Sequence, residues 1–227
     1  GYNITIPHKQ NIIPFLDFLR GKAKTYNSVN TVKNSEISEG FNTDADGFLN
    51  ALANENISLS GNIYILGCGG VARTIAFESI DKGCNVTLAV RNCSFNKAEK
   101  LVNEIKKYNK KAQINIDIIG SPFKCPVDIL INSTPVGMYP DISNTPIDKS
   151  LLKSCKVVFD AIYNPFETDL IKMAKSNGSR ALGGLSMLVW QAVIAHKIWD
   201  DSIYSINDIK QLIEDSKNEL KSLRYML

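Results

Sequence analysis

The stretch YILGCGGVART, residues 64–74, decides the fold, because a continuous apolar run leads into a glycine cluster and then a helical pattern. A tight turn needs residues without a Cβ, and a pyrophosphate can approach only bare backbone. The helix that follows offers free N–H groups and a positive dipole end to such an anion. The pattern is G-x-G-G-x-A, with Ala72 in the place of a third glycine. A plain strand-to-helix turn is the alternative, but the context predicts a dinucleotide-binding turn formed by Gly67, Cys68, Gly69, Gly70 and Val71.

Strand-like and helix-like segments alternate around this turn. Short Ile- and Val-rich runs of this kind are typical of parallel strands that are covered on both faces. Helical patterns over 70–82 and 94–108 separate the first of them. The sequence therefore predicts an α/β fold with a Rossmann-type doubly wound sheet, whose strands are NIYILG, NVTLAV, INIDII, DILINS and KVVFDAI.

The two ends of the chain have a different pattern. Residues 1–55 combine short strands (YNITI, NTVKN and ISEGF) with helices expected near 8–19 and 44–54. The C-terminal part predicts helices near 184–199 and 206–222. We therefore expect two lobes: an incomplete α/β substrate-binding lobe made of 1–55 plus 186–227, and a nucleotide-binding domain over 56–185.

Composition narrows the classes of protein. The 227 residues carry a net charge of +3 with no basic run interleaved with aromatics, which argues against nucleic acid as a partner. Two histidines and five cysteines without a C-x-x-C pair make a metal site or a disulfide framework improbable. The most apolar stretch, LSMLVWQAVIA, is too short to span a bilayer. We expect a reduced, cytoplasmic protein without a membrane partner.

The end of the second nucleotide-domain strand indicates the cofactor. NAD sites usually place an acid there to bind the ribose hydroxyls. Here the strand ends in LAVRNCS, with Arg91 and Asn92 and no acid. A guanidinium can form a bidentate contact with a 2′-phosphate, which a carboxylate would repel. The sequence therefore favours NADP, and a solvated strand end is the alternative for Arg91.

Several polar stretches have no evident structural role, namely NITIPHK (3–9), SVNTV (28–32), GFNTDADGF (40–48) and GGLSMLVWQA (183–192). Together with the glycine turn, INSTPVGM and DAIYNPFET, they follow the order of motifs in the shikimate dehydrogenase family, which the whole chain resembles. The resemblance implies NADP-dependent, reversible reduction of 3-dehydroshikimate to shikimate, a step of aromatic amino acid biosynthesis. It leaves a homodimer open.

The resemblance also assigns roles to residues. It implies that Lys9 is the catalytic lysine and that Asp44 is its partner. The implied substrate contacts are Thr5, Asn30, Asp44, Tyr163 and Gln191. Besides the glycine turn, Arg91 and Asn92, the implied cofactor contacts are Asn132, Thr134, Ala161 and Gly184.

The chemistry of Lys9 and Asp44 can be argued without the family. A secondary alcohol releases a hydride only as its O–H proton leaves, so a base must lie within hydrogen-bond reach of that oxygen. An amine held by a carboxylate can fill this role. Two ordinary alternatives exist: a surface lysine, and an aspartate that caps the helix expected from residue 45.

The sequence departs from the family pattern at its start. The family normally has strand–helix units before the lysine motif, with an S-x-S pair for the substrate carboxylate, and nothing here corresponds to them. We therefore expect an N-terminally truncated chain whose first lobe has an uncovered apolar face. Two alternatives follow: a quinate/shikimate dehydrogenase that uses NAD, and a nucleotide-binding protein without catalysis.

Overall fold

The structure is a computed structural model, and it describes residues 1–223, without the side chain of Leu223. The chain divides into two compact units. The first combines Gly1–Ile57 with Ser186–Asp215, and the second combines Ser58–Leu185 with the described residues from Ser216 onward.

The second unit contains a six-stranded parallel sheet in its described residues. Its strands are β5 (Asn62–Leu66), β6 (Asn85–Val90), β7 (Ile114–Ile118), β8 (Val127–Asn132), β9 (Cys155–Asp160) and β10 (Arg180–Gly183). They lie in the order β10-β9-β8-β5-β6-β7. The order reverses direction between β5 and β8, which is the switch point of a doubly wound sheet. The predicted α/β class and Rossmann-type sheet are confirmed.

Helices connect these strands, namely α3 (Gly70–Asp81), α4 (Phe95–Tyr108) and α5 (Asp169–Ser176). The core of this unit is built from strand residues that are buried on both faces of the sheet. Leu66, Leu88 and Leu130 are fully buried, as are Ala72 and Ile75 of α3. Burial on both faces explains why these strands read as continuous apolar runs.

The first unit has a four-stranded sheet in its described residues, in the order β1-β3-β4-β2: β1 (Tyr2–Asn3), β2 (Phe18–Leu19), β3 (Thr31–Asn34) and β4 (Ser38–Phe41). Its helices are α1 (Lys22–Tyr26) and α2 (Asp44–Asn54), together with most of α6 (Leu185–Asp200) and the start of α7 (Ile206–Leu223). Apolar side chains stay exposed in this unit, among them Ile6, Phe15 and Phe18.

The helix expected near 8–19 is not formed. Residues 6–12 are turns, followed by a single 3₁₀ turn at Ile13–Phe15 and by the short strand β2. The two prolines of this segment, Pro7 and Pro14, lack the backbone N–H that an α-helical ladder needs. Three further elements, α1, α5 and β10, were not predicted from the sequence.

The glycine at position 47 lets two helices of the first unit approach closely. A Cβ built on Gly47 of α2 would lie 2.8 Å from the carbonyl oxygen of Met187 and 3.2 Å from Cβ of Gln191, both on α6. The indole of Trp199, further along α6, donates to the carbonyl oxygen of Val32 at 2.9 Å. These contacts hold α6 against α2 and β3 and place Gln191 beside the start of α2.

The C-terminal helix α7 is shared between the units. Residues up to Asp215 group with the first unit, and those from Ser216 group with the second. In the second unit the ammonium groups of Lys217 and Lys221 lie 5.7 and 5.9 Å from the centre of the Phe166 ring. These cation–π contacts attach this end of α7 to the second unit.

Of the helices in the described part of the chain, none has both the length and the apolar character that crossing a bilayer requires.

Candidate active site

The first unit contains a largely buried ion pair. The Nζ atom of Lys9 lies 2.6 Å from Oδ2 of Asp44, and the two side chains are 11% and 5% exposed. A charge-assisted bond at this distance in a poorly hydrated place is stronger than a surface ion pair. The structure therefore brings together the two residues that the sequence analysis selected for proton transfer.

Local backbone bonds place Lys9 beside strand β3. The N–H of Val29 donates to the carbonyl oxygen of Lys9 at 2.8 Å, and the N–H of Ile4 donates to that of Asn30 at 2.8 Å. The segment from residue 4 to residue 9 is thereby fixed next to the chain that enters β3. A lysine held in this way, with a side chain that is 11% exposed, is not the surface lysine of the ordinary alternative.

Asp44 is the first residue of α2, where the helix dipole stabilises a negative charge. Its two oxygens accept from Lys9 and from Nδ2 of Asn30, at 2.6 and 3.0 Å. The N-cap position belongs to Thr43, and Oδ1 of Asn42 accepts from the N–H of Ala45 at 3.3 Å. Asp44 therefore does not act as the side-chain cap of this helix.

The amide of Asn30 connects this pair to the rest of the site. Its Oδ1 accepts from the backbone N–H of Thr43 at 2.7 Å, which turns its NH₂ group toward Asp44. The same Nδ2 lies 2.9 Å from Oγ1 of Thr43 and 2.8 Å from Oε1 of Gln191. An amide nitrogen has two hydrogens for these three acceptors, so one acceptor is left able to bind another donor.

The other predicted substrate contacts lie elsewhere. Thr5 is exposed, in the turn that leads to Lys9, and its carbonyl oxygen accepts from the N–H of His8. Tyr163 belongs to the second unit, where it is 43% exposed. Neither side chain takes part in the bonds of the Lys9–Asp44 cluster.

The glycine turn of the second unit fits a pyrophosphate. Gly67 has φ +103° and its Cβ would lie 3.1 Å from Oγ of Ser133, so a larger residue is disfavoured there. Around the Cβ position of Gly69, the N-cap of α3, no atom lies within 4 Å. The cap has no side-chain bond and the first turn of α3 has no acidic residue. The first N–H groups of α3, beginning with those of Gly70 and Val71, are therefore open to an anion. Cys68 lies in the turn just before them.

Positive charge lies beside this turn. Arg91 follows β6 directly and is exposed, and Asn92 opens a short 3₁₀ turn, Asn92–Ser94. Burial raises the pKa of the Cys68 thiol, while the nearby charges of Lys97 and Arg91 act in the opposite direction. Lys97, near the start of α4, is within electrostatic reach of the turn.

Asn132 and Thr134 form one structured loop at the end of β8. Oδ1 of Asn132 accepts from the backbone N–H and the hydroxyl of Thr134, at 3.0 and 2.7 Å. The neighbouring Ser133 donates through its N–H to the carbonyl oxygen of Leu66 at 3.0 Å, which ties this loop to the end of β5. Asn132 is fully buried and Thr134 is partly exposed.

Ala161 and Gly184 meet at the ends of β9 and β10. The N–H of Ala161 donates to the carbonyl oxygen of Asn132 at 2.9 Å, and the N–H of Gly184 donates to that of Ile162 at 2.9 Å. A Cβ on Gly184 would lie 2.3 Å from the carbonyl oxygen of Ala161. This close approach is the reason for a glycine at position 184.

Two buried residues beside these clusters, Thr43 and Asp160, were not predicted from the sequence. Thr43 is 1% exposed, and its hydroxyl contacts Asn30 and, at 3.2 Å, the hydroxyl of Thr31. Asp160, the last residue of β9, is 0% exposed, and burial raises its pKa to about 6 although three hydrogen bonds oppose the change. An acid that ends an apolar run, as in KVVFD, was the available signal for Asp160.

The chain is similar to known proteins of one family. The family model described as the shikimate dehydrogenase substrate binding domain matches residues 1–32. The chain is 41% identical over 226 residues to the shikimate dehydrogenase (NADP⁺) of Methanocaldococcus jannaschii, an alignment covering 95% of this chain and 77% of that protein.

Two solved structures are similar over nearly the whole chain. A crystal structure of shikimate dehydrogenase in complex with NADP⁺ has a TM-score of 0.81 at 37% identity, covering 94% of this chain and 75% of that one. A ligand-free 5-ketofructose reductase of Gluconobacter sp. strain CHM43 has a TM-score of 0.77 at 34% identity, covering 94% and 77%. With a relative at 41% identity, a matching substrate-domain model and the Rossmann-type sheet in place, the chain belongs to the shikimate dehydrogenase family.

Proposed function

We propose that this protein catalyses the NADP-dependent, reversible reduction of 3-dehydroshikimate to shikimate. The observation that carries the proposal is the buried Lys9–Asp44 pair at 2.6 Å, with Asn30 and Gln191 bonded beside it. The curated relative of the same family is named for this activity. The first unit supplies the substrate site and the second the cofactor site.

Lys9 is the proton-transfer residue in this proposal. When shikimate is oxidised, the departing hydroxyl proton needs an acceptor within hydrogen-bond distance, and in the reverse direction the same group returns it. The bond to Asp44 holds the amine in one place, which lowers the entropic cost of reaching a reactive geometry. For the oxidation of shikimate Lys9 has to be in its neutral form, and Asp44 then balances the positive charge that the amine gains with the proton.

Asn30, Thr5 and Gln191 bind the hydroxyl groups of the substrate. The two hydrogens of the Asn30 amide are shared among three oxygens, so Oε1 of Gln191 can accept from a substrate hydroxyl without leaving a buried donor unpaired. Tyr163 is a further proposed substrate contact.

NADP is the cofactor, and when bound it supplies the nicotinamide that exchanges a hydride with the substrate. The open N–H groups at the start of α3 and the glycine turn hold the pyrophosphate. Arg91 and Asn92 bind the ribose phosphate. Asn132, Thr134, Ala161 and Gly184 line the rest of the site.

The proposal also covers the cellular location and the oligomeric state of the enzyme. The five cysteines show no disulfide-type pattern in the sequence, and we therefore place the protein in the cytoplasm. A homodimer is a further prediction, and sedimentation velocity over a range of protein concentrations tests it.

A substrate and cofactor matrix tests the activity. The purified chain is assayed with shikimate or quinate and NADP⁺ or NAD⁺, and with 5-ketofructose and NADPH because of the reductase relative. We expect the highest kcat/KM with shikimate and NADP⁺. Faster turnover with quinate and NAD⁺, or with 5-ketofructose, would replace the proposed substrate, and NADPH binding without turnover would indicate a nucleotide-binding protein.

A further inference from the structure

The ends of four parallel strands form a row in the second unit. Leu66, Asn132, Asp160 and Gly183 are register neighbours, at the carboxyl ends of β5, β8, β9 and β10. Ligands of open α/β sheets bind outside this edge. Asp160 places an acidic side chain in the middle of the row, and it is completely buried.

The carboxyl group of Asp160 accepts three hydrogen bonds from three different segments. Oδ1 accepts from Nδ2 of Asn132 at 3.0 Å and from the N–H of Ile162 at 3.1 Å. Oδ2 accepts from the hydroxyl of Thr168, at the start of α5, at 2.6 Å. Each of these three bonds is donated to Asp160, whose oxygens are the acceptors. Burying a carboxyl group among apolar side chains costs free energy, and these hydrogen bonds offset only part of that cost.

The partners of Asp160 hold the two loops that carry four predicted cofactor contacts. Since the NH₂ group of Asn132 faces Asp160, its Oδ1 is turned toward Thr134, where it accepts two bonds. On the other side, Ile162 binds Asp160 through its N–H and Gly184 through its carbonyl oxygen. One carboxyl group thereby sets the geometry of loop 132–134 and of the contact between Ala161 and Gly184.

We infer that Asp160 is a positioning residue of the cofactor site, which it organises through Asn132 and Ile162 without contacting the cofactor itself. The inference rests on the proposed function, because that function places NADP against these two loops. Asp160 keeps the loops in one arrangement, so that the nicotinamide is held where hydride transfer is fast. Small displacements at such a site lower the rate by about 100-fold per ångström.

The chain offers a matched control for a purely structural role. Asp128 lies on β8, one strand away, near the opposite end of the sheet. Its carboxylate also joins separate segments, accepting from the N–H of Asn62 at 2.8 Å and from Nζ of Lys156 at 2.7 Å. Asp128→Asn therefore removes a comparable bridging carboxylate far from the proposed cofactor edge.

The test compares Asp160→Asn with Asp128→Asn. NADPH affinity is measured by fluorescence titration, and kcat, KM and the isotope effect of NADPH deuterated at the transferred position are measured well below each Tm. For Asp160→Asn we expect NADPH Kd to rise about 10-fold or more and kcat to fall about 10- to 100-fold. The isotope effect should increase, because hydride transfer becomes rate-limiting, while KM for shikimate changes less than about 2-fold. Asp128→Asn should lower only Tm.

The remaining outcomes separate the inference from the proposed function. Unchanged NADPH affinity and isotope effect in folded Asp160→Asn, or equal changes in both variants, would overturn the inference alone. A wild-type chain that binds no NADPH would overturn the proposed function first. If Asp160→Asn does not fold, Thr168→Val, which removes the donor to Oδ2 together with the N-cap bond from the N–H of Ile171, should weaken NADPH binding in the same direction, and unaltered binding there would also refute the inference.

Discussion

Lys9 Nζ and Asp44 Oδ2 lie 2.6 Å apart although 35 positions separate them in the chain. The contact joins the turn before the 3₁₀ segment to the first residue of α2. Both side chains are mostly removed from water, so neither charge is tolerated well without the other. This pair gives the first unit a fixed amine with a carboxylate behind it.

Replacing Lys9 tests the proton-transfer role. Lys9→Met should lower kcat for shikimate oxidation by about 100- to 10,000-fold, the usual contribution of a positioned acid–base group. NADPH Kd should stay within about 2-fold, because Lys9 lies in the first unit and the glycine turn lies in the second. Steady-state kinetics and fluorescence titration measure the two quantities.

Lys22→Met is the matched control, since Lys22 forms a similar 2.7 Å ion pair with Asp46 on the same helix α2. That variant should keep nearly all of its activity. Near-normal turnover in Lys9→Met, or an equal loss in Lys22→Met, would exclude Lys9 as the proton-transfer residue.

Asn30→Ala should destabilise the protein. The change leaves the N–H of Thr43, Asp44 and Gln191 without the bonds that the buried amide now provides. Each unpaired buried group costs about 1–3 kcal/mol, so we expect a loss of about 3 kcal/mol or more in the free energy of unfolding. Urea denaturation measures it. Asn50→Ala, which removes one bond from Asn50 to a carbonyl oxygen on α2, should cost less than about 1 kcal/mol; similar losses in both would contradict the network.

Gly69→Ala should separate cofactor binding from stability. Gly69 has φ −81°, which alanine adopts without strain, and no atom surrounds its Cβ position. We therefore expect Tm to change by less than about 2 °C. The added methyl group blocks the approach of a pyrophosphate to the backbone, so NADPH Kd should rise about 10-fold or more. Unaltered NADPH affinity would place the phosphates elsewhere.

Arg91→Ala should weaken the preference for NADP over NAD. A charge-assisted bond to a phosphate contributes about 1.5–3 kcal/mol, so the ratio of kcat/KM values for NADP⁺ and NAD⁺ should fall about 10- to 100-fold. Arg180→Ala, at the start of β10, is the control, because that arginine lies at the other end of its strand. A ratio that Arg91→Ala does not alter would mean that this side chain is only a solvated strand end.

The pKa of Asp160 predicts how stability depends on pH. Burial raises this pKa from 3.8 to about 6, so the folded protein holds the proton more tightly than the unfolded chain does. The contribution of the protonated acid to stability is complete below about pH 3.8 and is lost as the pH rises through 6. Relative to Asp160→Asn, the wild type should therefore gain about 2 kcal/mol of unfolding free energy between about pH 7.5 and pH 4.5. Urea denaturation at several pH values measures this difference, and a constant difference would contradict the raised pKa.

Local sequence patterns were enough to predict most of the second unit. The apolar runs that became β5, β6, β8 and β9 are continuous because each strand is covered on both faces, and this burial is visible in composition alone. The glycine turn was equally readable, since positive φ at Gly67 and an open α3 N-terminus both require residues without bulky side chains. The first unit was less readable, because two prolines and short strands weaken any periodic signal around residues 6–19.

By itself, the sequence determined the α/β class, the position of the glycine turn and, through the order of its motifs, the family. Only the tertiary structure decided that Lys9 contacts Asp44, that Asn30 faces Asp44 and Gln191, and that Asp160 joins Asn132 to Thr168. The physical reason is the distance along the chain between the residues that define each feature. Strand burial and turn geometry depend on neighbours within a few positions, whereas a buried charge or amide is defined by partners that lie tens of residues away and meet it only after folding.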